Sequence, residues 1–106
     1  RPEDGLIHWD NSTVQIYNLV RAVARPYSGA FTYVNSGKLM IWKARPFDTK
    51  LSYLKASPGE IVASFSTGKF LVATGSGTLL VDQWEVIEGA SPVVGDVLGD
   101  LARVAG

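Results

Sequence analysis

The segment from Tyr17 to Ala44 constrains the fold more than any other part of the chain. It begins as an apolar repeat at helical spacing, stops at Pro26, and passes through Gly29 into Ala30-Phe31-Thr32-Tyr33-Val34. Pro26 lacks an amide hydrogen and pushes Arg25 out of helical geometry. Gly29 can supply a positive φ in the turn. Phe, Thr, Tyr and Val suit the pleated, half-buried surface of a strand. Asn35-Ser36-Gly37 forms a short hairpin loop, and Lys38-Leu39-Met40-Ile41-Trp42-Lys43-Ala44 returns as a second strand. The segment therefore locks a helix against a β-hairpin.

The start of the helix is also written locally. Asp10-Asn11-Ser12 are all N-cap residues, and Ser12 with Gln15 has capping-box form. Val14, Ile16, Tyr17, Val20, Val23 and Ala24 recur at helical intervals, with Asn18, Arg21 and Arg25 opposite. The pattern predicts a helix over 12–24, preceded by an extended lead-in over 1–11. In that lead-in Glu3-Asp4-Gly5 is a turn signal, and Leu6, Ile7 and Trp9 are apolar enough to lie on a core or on a neighbouring domain, with Trp9 as a packing anchor.

Along the second strand, simple alternation puts Leu39, Ile41 and Lys43 on one face and Met40, Trp42 and Ala44 on the other. Both faces are largely apolar, which predicts a central position in a sheet or barrel. Residues 45–59, with Pro46 and Pro58 near either end, read as one long irregular stretch that packs down through Leu51, Tyr53 and Leu54. Glu60 to Phe65 and Lys69 to Ala73 then form a hairpin around Ser66-Thr67-Gly68. The Thr74-Gly75-Ser76-Gly77 turn leads to a last strand, Thr78 to Val86. The spacing of glycine not only marks these turns but argues against a dinucleotide site: Gly75 and Gly77 lack a third glycine and a following helix. Short strands at this spacing predict a mainly β fold with flanking helices, its antiparallel barrel or sandwich spanning about 30–88.

After Gly89, Ser91-Pro92 resembles a helix start, and Val94, Val97, Leu98, Leu101 and Val104 keep helical spacing. This predicts a tail helix over 91–104 that closes the barrel, although Gly95 and Gly99 each weaken it by roughly 1 kcal/mol relative to Ala.

A length of 106 residues suits one domain. Ten Lys and Arg balance ten Asp and Glu, so the chain lacks the basic excess usual in a nucleic-acid binder. With no cysteine, disulfides, a cysteine nucleophile and cysteine-ligated zinc are excluded. No apolar run approaches the roughly 18 residues of a membrane span, and Arg1 to Gly5 has no signal-peptide core. These features favour a cytoplasmic setting with no membrane partner. The start reads as the interior of a longer polypeptide, cut at a domain boundary.

His8 is the only histidine, which leaves no Ser-His-Asp set and no metal-ligand spacing. Glu85 and Glu88 read as a solvated edge rather than an acid/base pair. The chain has no catalytic constellation and no cofactor site of its own. One cluster of possible binding residues remains: Arg21, Arg25, Lys38, Lys43 and Arg45, interleaved with Tyr27, Tyr33 and Trp42. Arg can hold phosphate bidentately and aromatic rings can stack on bases. Alternatively, the cations snorkel from an apolar scaffold built by the aromatics. The candidates for contact with substrate or RNA are Arg21, Arg25, Tyr27, Lys38, Trp42 and Lys43.

Several ordered stretches resemble the C-terminal domain of the formyltransferase family, which includes methionyl-tRNA formyltransferase and the sugar-nucleotide N-formyltransferases. Pro2-Glu3-Asp4-Gly5-Leu6-Ile7-His8-Trp9 is similar to the family's P-E-D-G-x-I-D-W lead-in, and Ile16 to Val23 to its first helix. Pro26-Tyr27-Ser28-Gly29-Ala30-Phe31-Thr32 is similar to P-[YW]-P-G-A-[FW]-[TS], Lys38 to Ala44 to the following strand, and Pro58-Gly59-Glu60-Ile61 to P-G-x-[IV]. The likeness covers about 1–88, with His8 in place of the family's Asp and Ser28 in place of its second Pro. It implies a small OB-like antiparallel barrel. It also implies a partner, an N-terminal Rossmann-like domain of the same polypeptide that carries an Asn-His-Asp set and binds 10-formyltetrahydrofolate. The wording of 17–23, with Tyr27 and Phe31, is closer to the sugar-nucleotide branch. The implied function is that of a non-catalytic domain of an enzyme formylating a nucleotide-linked amino sugar. A tRNA-contacting domain and a structural or oligomerisation module are the alternatives.

Overall fold

The computed structural model describes residues 2–35, 37–48 and 56–99. Helix α1 (Thr13–Ala22) precedes five strands: β1 (Ala30–Val34), β2 (Gly37–Asp48), β3 (Ile61–Ser64), β4 (Phe70–Thr74) and β5 (Gly77–Glu88). They form one antiparallel sheet in the order β1-β2-β5-β4-β3. The fold is mainly β, as the strand pattern predicts.

The capping box forms as written. Gln15 N–H donates to Ser12 Oγ (3.1 Å), and Ser12 N–H donates to Gln15 Oε1 (2.9 Å). Thr13, Ile16 and Val20 are the buried residues of the helix, whereas Val14 is 47% exposed, so the core stripe is rotated from the predicted one. A hydroxyl contact of 2.7 Å between Thr13 and Thr74 ties the helix start to the end of β4. Beside it, Gly75 N–H donates to Asn11 O (2.9 Å). The lead-in departs from a fully extended form: Pro2–Gly5 is a turn of 3-10 helix, which the Asp-Gly turn signal accommodates. Ile7 and Trp9 then enter the core.

Strand β2 runs further than alternation and proline suggest. It continues through Arg45 and Pro46 to Asp48, because Pro46 lies opposite Leu79 at an irregular part of the ladder where a missing donor is tolerated. Register shifts between Ile41 and Lys43, and again between Lys43 and Ala44, mark a bulge. The bulge inverts the predicted facing: Leu39, Ile41 and then Ala44 enter the core, while Lys43 is exposed. Of the long irregular stretch expected over 45–59, residues 49–55 lie outside the described residues, with Leu51, Tyr53 and Leu54 among them.

The tail corrects a further expectation. Residues 91–99 form no helix. Gly95 turns at φ +98, Asp96 N–H donates to Val93 O (3.0 Å), and the chain then extends. Leu98 N–H donates to Gly59 O (2.8 Å), and Ile61 N–H donates to Asp96 O (2.9 Å). Tyr33 and Gly99 exchange both backbone bonds, at 2.8 and 3.0 Å. The segment 95–99 therefore joins the free side of β1 to the chain entering β3 and completes the barrel. Glycines that weaken a helix suit this path, and one apolar side chain, the fully buried Leu98, is enough to anchor it. Residues 100–104 of the expected helix lie outside the described residues.

The core gathers Ile7, Trp9, Ile16, Val20, Leu39, Ile41, Val72, Leu79, Val81 and Leu98. Its polar atoms are paired across long sequence separations. Trp9 Nε1–H donates to Thr32 Oγ1 (3.0 Å), whose own hydroxyl donates to Gly99 O (3.1 Å). Burying the indole of Trp9 without such a partner would offset much of its packing gain.

Candidate functional site

The structure divides the sequence-derived candidates among three places. On the outer face of the β1–β2 hairpin, the Arg25 guanidinium lies 4.1 Å from the centre of the Trp42 ring. Trp42 Nε1–H donates to Glu85 Oε1 (3.2 Å). Gly29 makes room for this ring: at φ +90, a Cβ there would sit 2.6 Å from a Trp42 ring atom. On the same face the Lys38 ammonium lies 4.6 Å from the centre of Phe31, which meets Tyr33 edge-on at 5.8 Å. Phe31 faces Met40 and Tyr33 faces Lys38 across the ladder, which is why these side chains share one face.

The second place is the exposed side of α1. Arg21 stands one turn after Tyr17, with its guanidinium 5.2 Å from the ring centre. Tyr27 stands alone in the turn after the helix and is 68% exposed.

The third place is a cavity of about 420 Å³ between α1 and the β2–β5 ladder. Its lining includes Tyr17, Lys43, Arg45, Lys69, Asp82 and Gln83. The β2 bulge aims Lys43 here, next to Arg45. Asp82 is the anchor, with a side chain only 8% exposed. Arg45 Nη2–H donates to its Oδ1 (3.4 Å), with Nε 3.3 Å from Oδ2, and the Lys69 ammonium lies 3.2 Å from Oδ1. Among the described residues Lys43 forms no ion pair. Three cations and one carboxylate thus line one cavity, a local excess of positive charge in a chain of net charge zero.

Of the contact candidates Lys43 lines this cavity, joined by Arg45 from the wider basic cluster; Arg25 pairs with Trp42, and Lys38 and Arg21 each cover a ring of their own. Sequence reasoning missed Lys69, Asp82 and Gln83. Lys69 and Asp82 flank the β4–β5 hairpin, and only the register Phe70↔Val81 places them side by side.

Among the described residues, no group of three His, Asp or Glu is arranged to hold a metal ion, and no helix is long and apolar enough to cross a membrane. The match to a known family extends over residues 1–92 and is to the formyl transferase C-terminal domain. Such domains are generally non-catalytic and are normally paired with an N-terminal catalytic domain, for which the family implies formyl-tetrahydrofolate. With that match covering most of the chain, and a mainly β antiparallel fold consistent with it, this chain belongs to the formyltransferase C-terminal domain family.

Proposed function

We propose that residues 1–106 form a single accessory domain of a cytoplasmic formyltransferase that uses 10-formyltetrahydrofolate to formylate a nucleotide-linked amino sugar. Formyl transfer belongs to an N-terminal catalytic domain of the same polypeptide. That domain, rather than the cavity here, whose described lining is mostly charged with one ring, Tyr17, is where the folate donor would bind. No catalytic step is therefore assigned to this chain.

The observation that carries the choice of acceptor is how the cations are used. Arg25, Arg21 and Lys38 lie on aromatic rings, and Arg45 and Lys69 converge on Asp82. A domain that grips tRNA presents a stripe of cations to successive phosphates. Among the described residues, three of the six Lys and Arg side chains lie over aromatic rings and the other three line one cavity, so they form no such stripe.

The test is formyl transfer by the full-length polypeptide from 10-formyltetrahydrofolate to a panel of nucleotide-linked amino sugars, alongside methionyl-tRNA. Turnover of an amino sugar with no turnover of the tRNA is expected. Preferential formylation of methionyl-tRNA, with binding of the domain to tRNA that weakens steeply as salt rises, would replace this reading with the tRNA branch.

A further inference from the structure

We propose that the cavity between α1 and the β2–β5 ladder is a binding site for a small diphosphate-bearing ligand. This does not rest on the acceptor assigned above. The first argument is charge. Lys43, Arg45 and Lys69 surround one carboxylate, so the lining carries an excess of two positive charges in a chain of net charge zero.

The second argument is the way those charges are held. The Asp82 side chain is more than nine-tenths buried, and its two oxygens are contacted by Arg45 and Lys69. It fixes the two cations without occupying all their donors. Arg45 remains more than half exposed and Lys69 more than a third, so unused N–H groups remain available to a ligand. A guanidinium has five donors in a fixed fork, matched to two oxygens of one phosphate, and an ammonium has three. Two cations oriented in advance lose less conformational freedom on binding than free side chains would.

The third argument is Lys43. The β-bulge exists at this position, and it turns toward the cavity a lysine that simple alternation would direct at the core. Among the described residues it meets no carboxylate. Tyr17 and Gln83 add neutral donors on either side of the lining. A volume of about 420 Å³ lies within the size range of small-ligand sites. The arrangement suits two linked phosphates: one on Arg45 and Lys69, the other on Lys43.

Inorganic pyrophosphate is the first probe, followed by a nucleoside diphosphate and a single-stranded RNA at matched ionic strength. Amide chemical shifts of the chain report the site. Saturable binding of one pyrophosphate, with shifts centred on Lys43, Arg45, Lys69 and Gln83, is expected. Lys43→Gln weakens it by about tenfold, the loss of one charge-assisted contact. Thermal melting of this variant stays at the parent value, so its effect is on binding rather than folding. Tighter binding of the nucleoside diphosphate than of pyrophosphate identifies a nucleotide as the source of the diphosphate; equal binding identifies the bare diphosphate. Unchanged affinity in Lys43→Gln, shifts spread over Lys38, Arg21 and Arg25, or RNA occupying the cavity in preference to both small probes would overturn the proposal.

Discussion

The outer face of the β1–β2 hairpin and the cavity beside α1 use the same residue types in opposite ways. On the hairpin, Arg25 and Lys38 rest on Trp42 and Phe31, and the cations act as lids over apolar rings. In the cavity, Arg45 and Lys69 rest on a buried carboxylate, and Lys43, among the described residues, rests on none. A cation over a ring contributes about 0.5–1 kcal/mol at an exposed site and shields the ring from water. A cation anchored on a buried carboxylate keeps a fixed position with donors to spare. Basic residues in a sequence therefore become either cover or contact surface according to what lies beneath them, and composition cannot tell the two apart.

Three substitutions sharpen the contrast. The largest effect is expected from Gly29→Val. It adds a side chain where a Cβ alone would overlap the Trp42 ring, at a φ of +90 that a β-branched residue resists. A loss of about 2–4 kcal/mol in chemical denaturation is expected, with Trp42 fluorescence shifted as the indole leaves Arg25. Unchanged stability would mean that the ring has room to move and that the face is not packed as described.

Asp82→Asn comes next. It removes the charge that gathers Arg45 and Lys69, both of which are exposed enough to return to water. A cost of about 1–2 kcal/mol is expected from urea unfolding, well below that of breaking a fully buried pair. A cost below the error of the measurement would show that Asp82 does not hold the two cations together. The smallest effect is expected from Arg25→Ala: about 0.5–1 kcal/mol from losing its place over Trp42. A loss above about 2 kcal/mol would show that Arg25 is structural rather than a cover.

The helix and most strands were legible because their signals are local. Ser12 and Gln15 cap each other within one turn, Pro26 lies just beyond a helix that ends at Ala22, and Gly75-Ser76 turns β4 directly into β5. What stayed hidden depends on partners far along the chain. The bulge at Lys43 is a mismatch between β2 and β5, and alternation within β2 alone carries no trace of it. Asp82 reads as an ordinary strand carboxylate until Arg45 and Lys69 are placed over it. The tail misled for a physical reason: Val94, Val97 and Leu98 fit a helical stripe, but a segment with two glycines between two unpaired strand edges gains more by hydrogen bonding to both.

That closing segment also governs the order in which the molecule can be completed as it is made. Thr32 and Gly99 are 67 positions apart, yet they share a bond inside the core. During synthesis at roughly 5–20 residues per second, the helix and the first hairpin emerge several seconds before their last partner. Over that interval Tyr33 on β1 and the carbonyl of Gly59 lack the tail partners they bond in the finished fold, and Leu98 is still missing from the interior. The nascent domain can assemble its sheet early, but it finishes only after the ribosome has released residue 99.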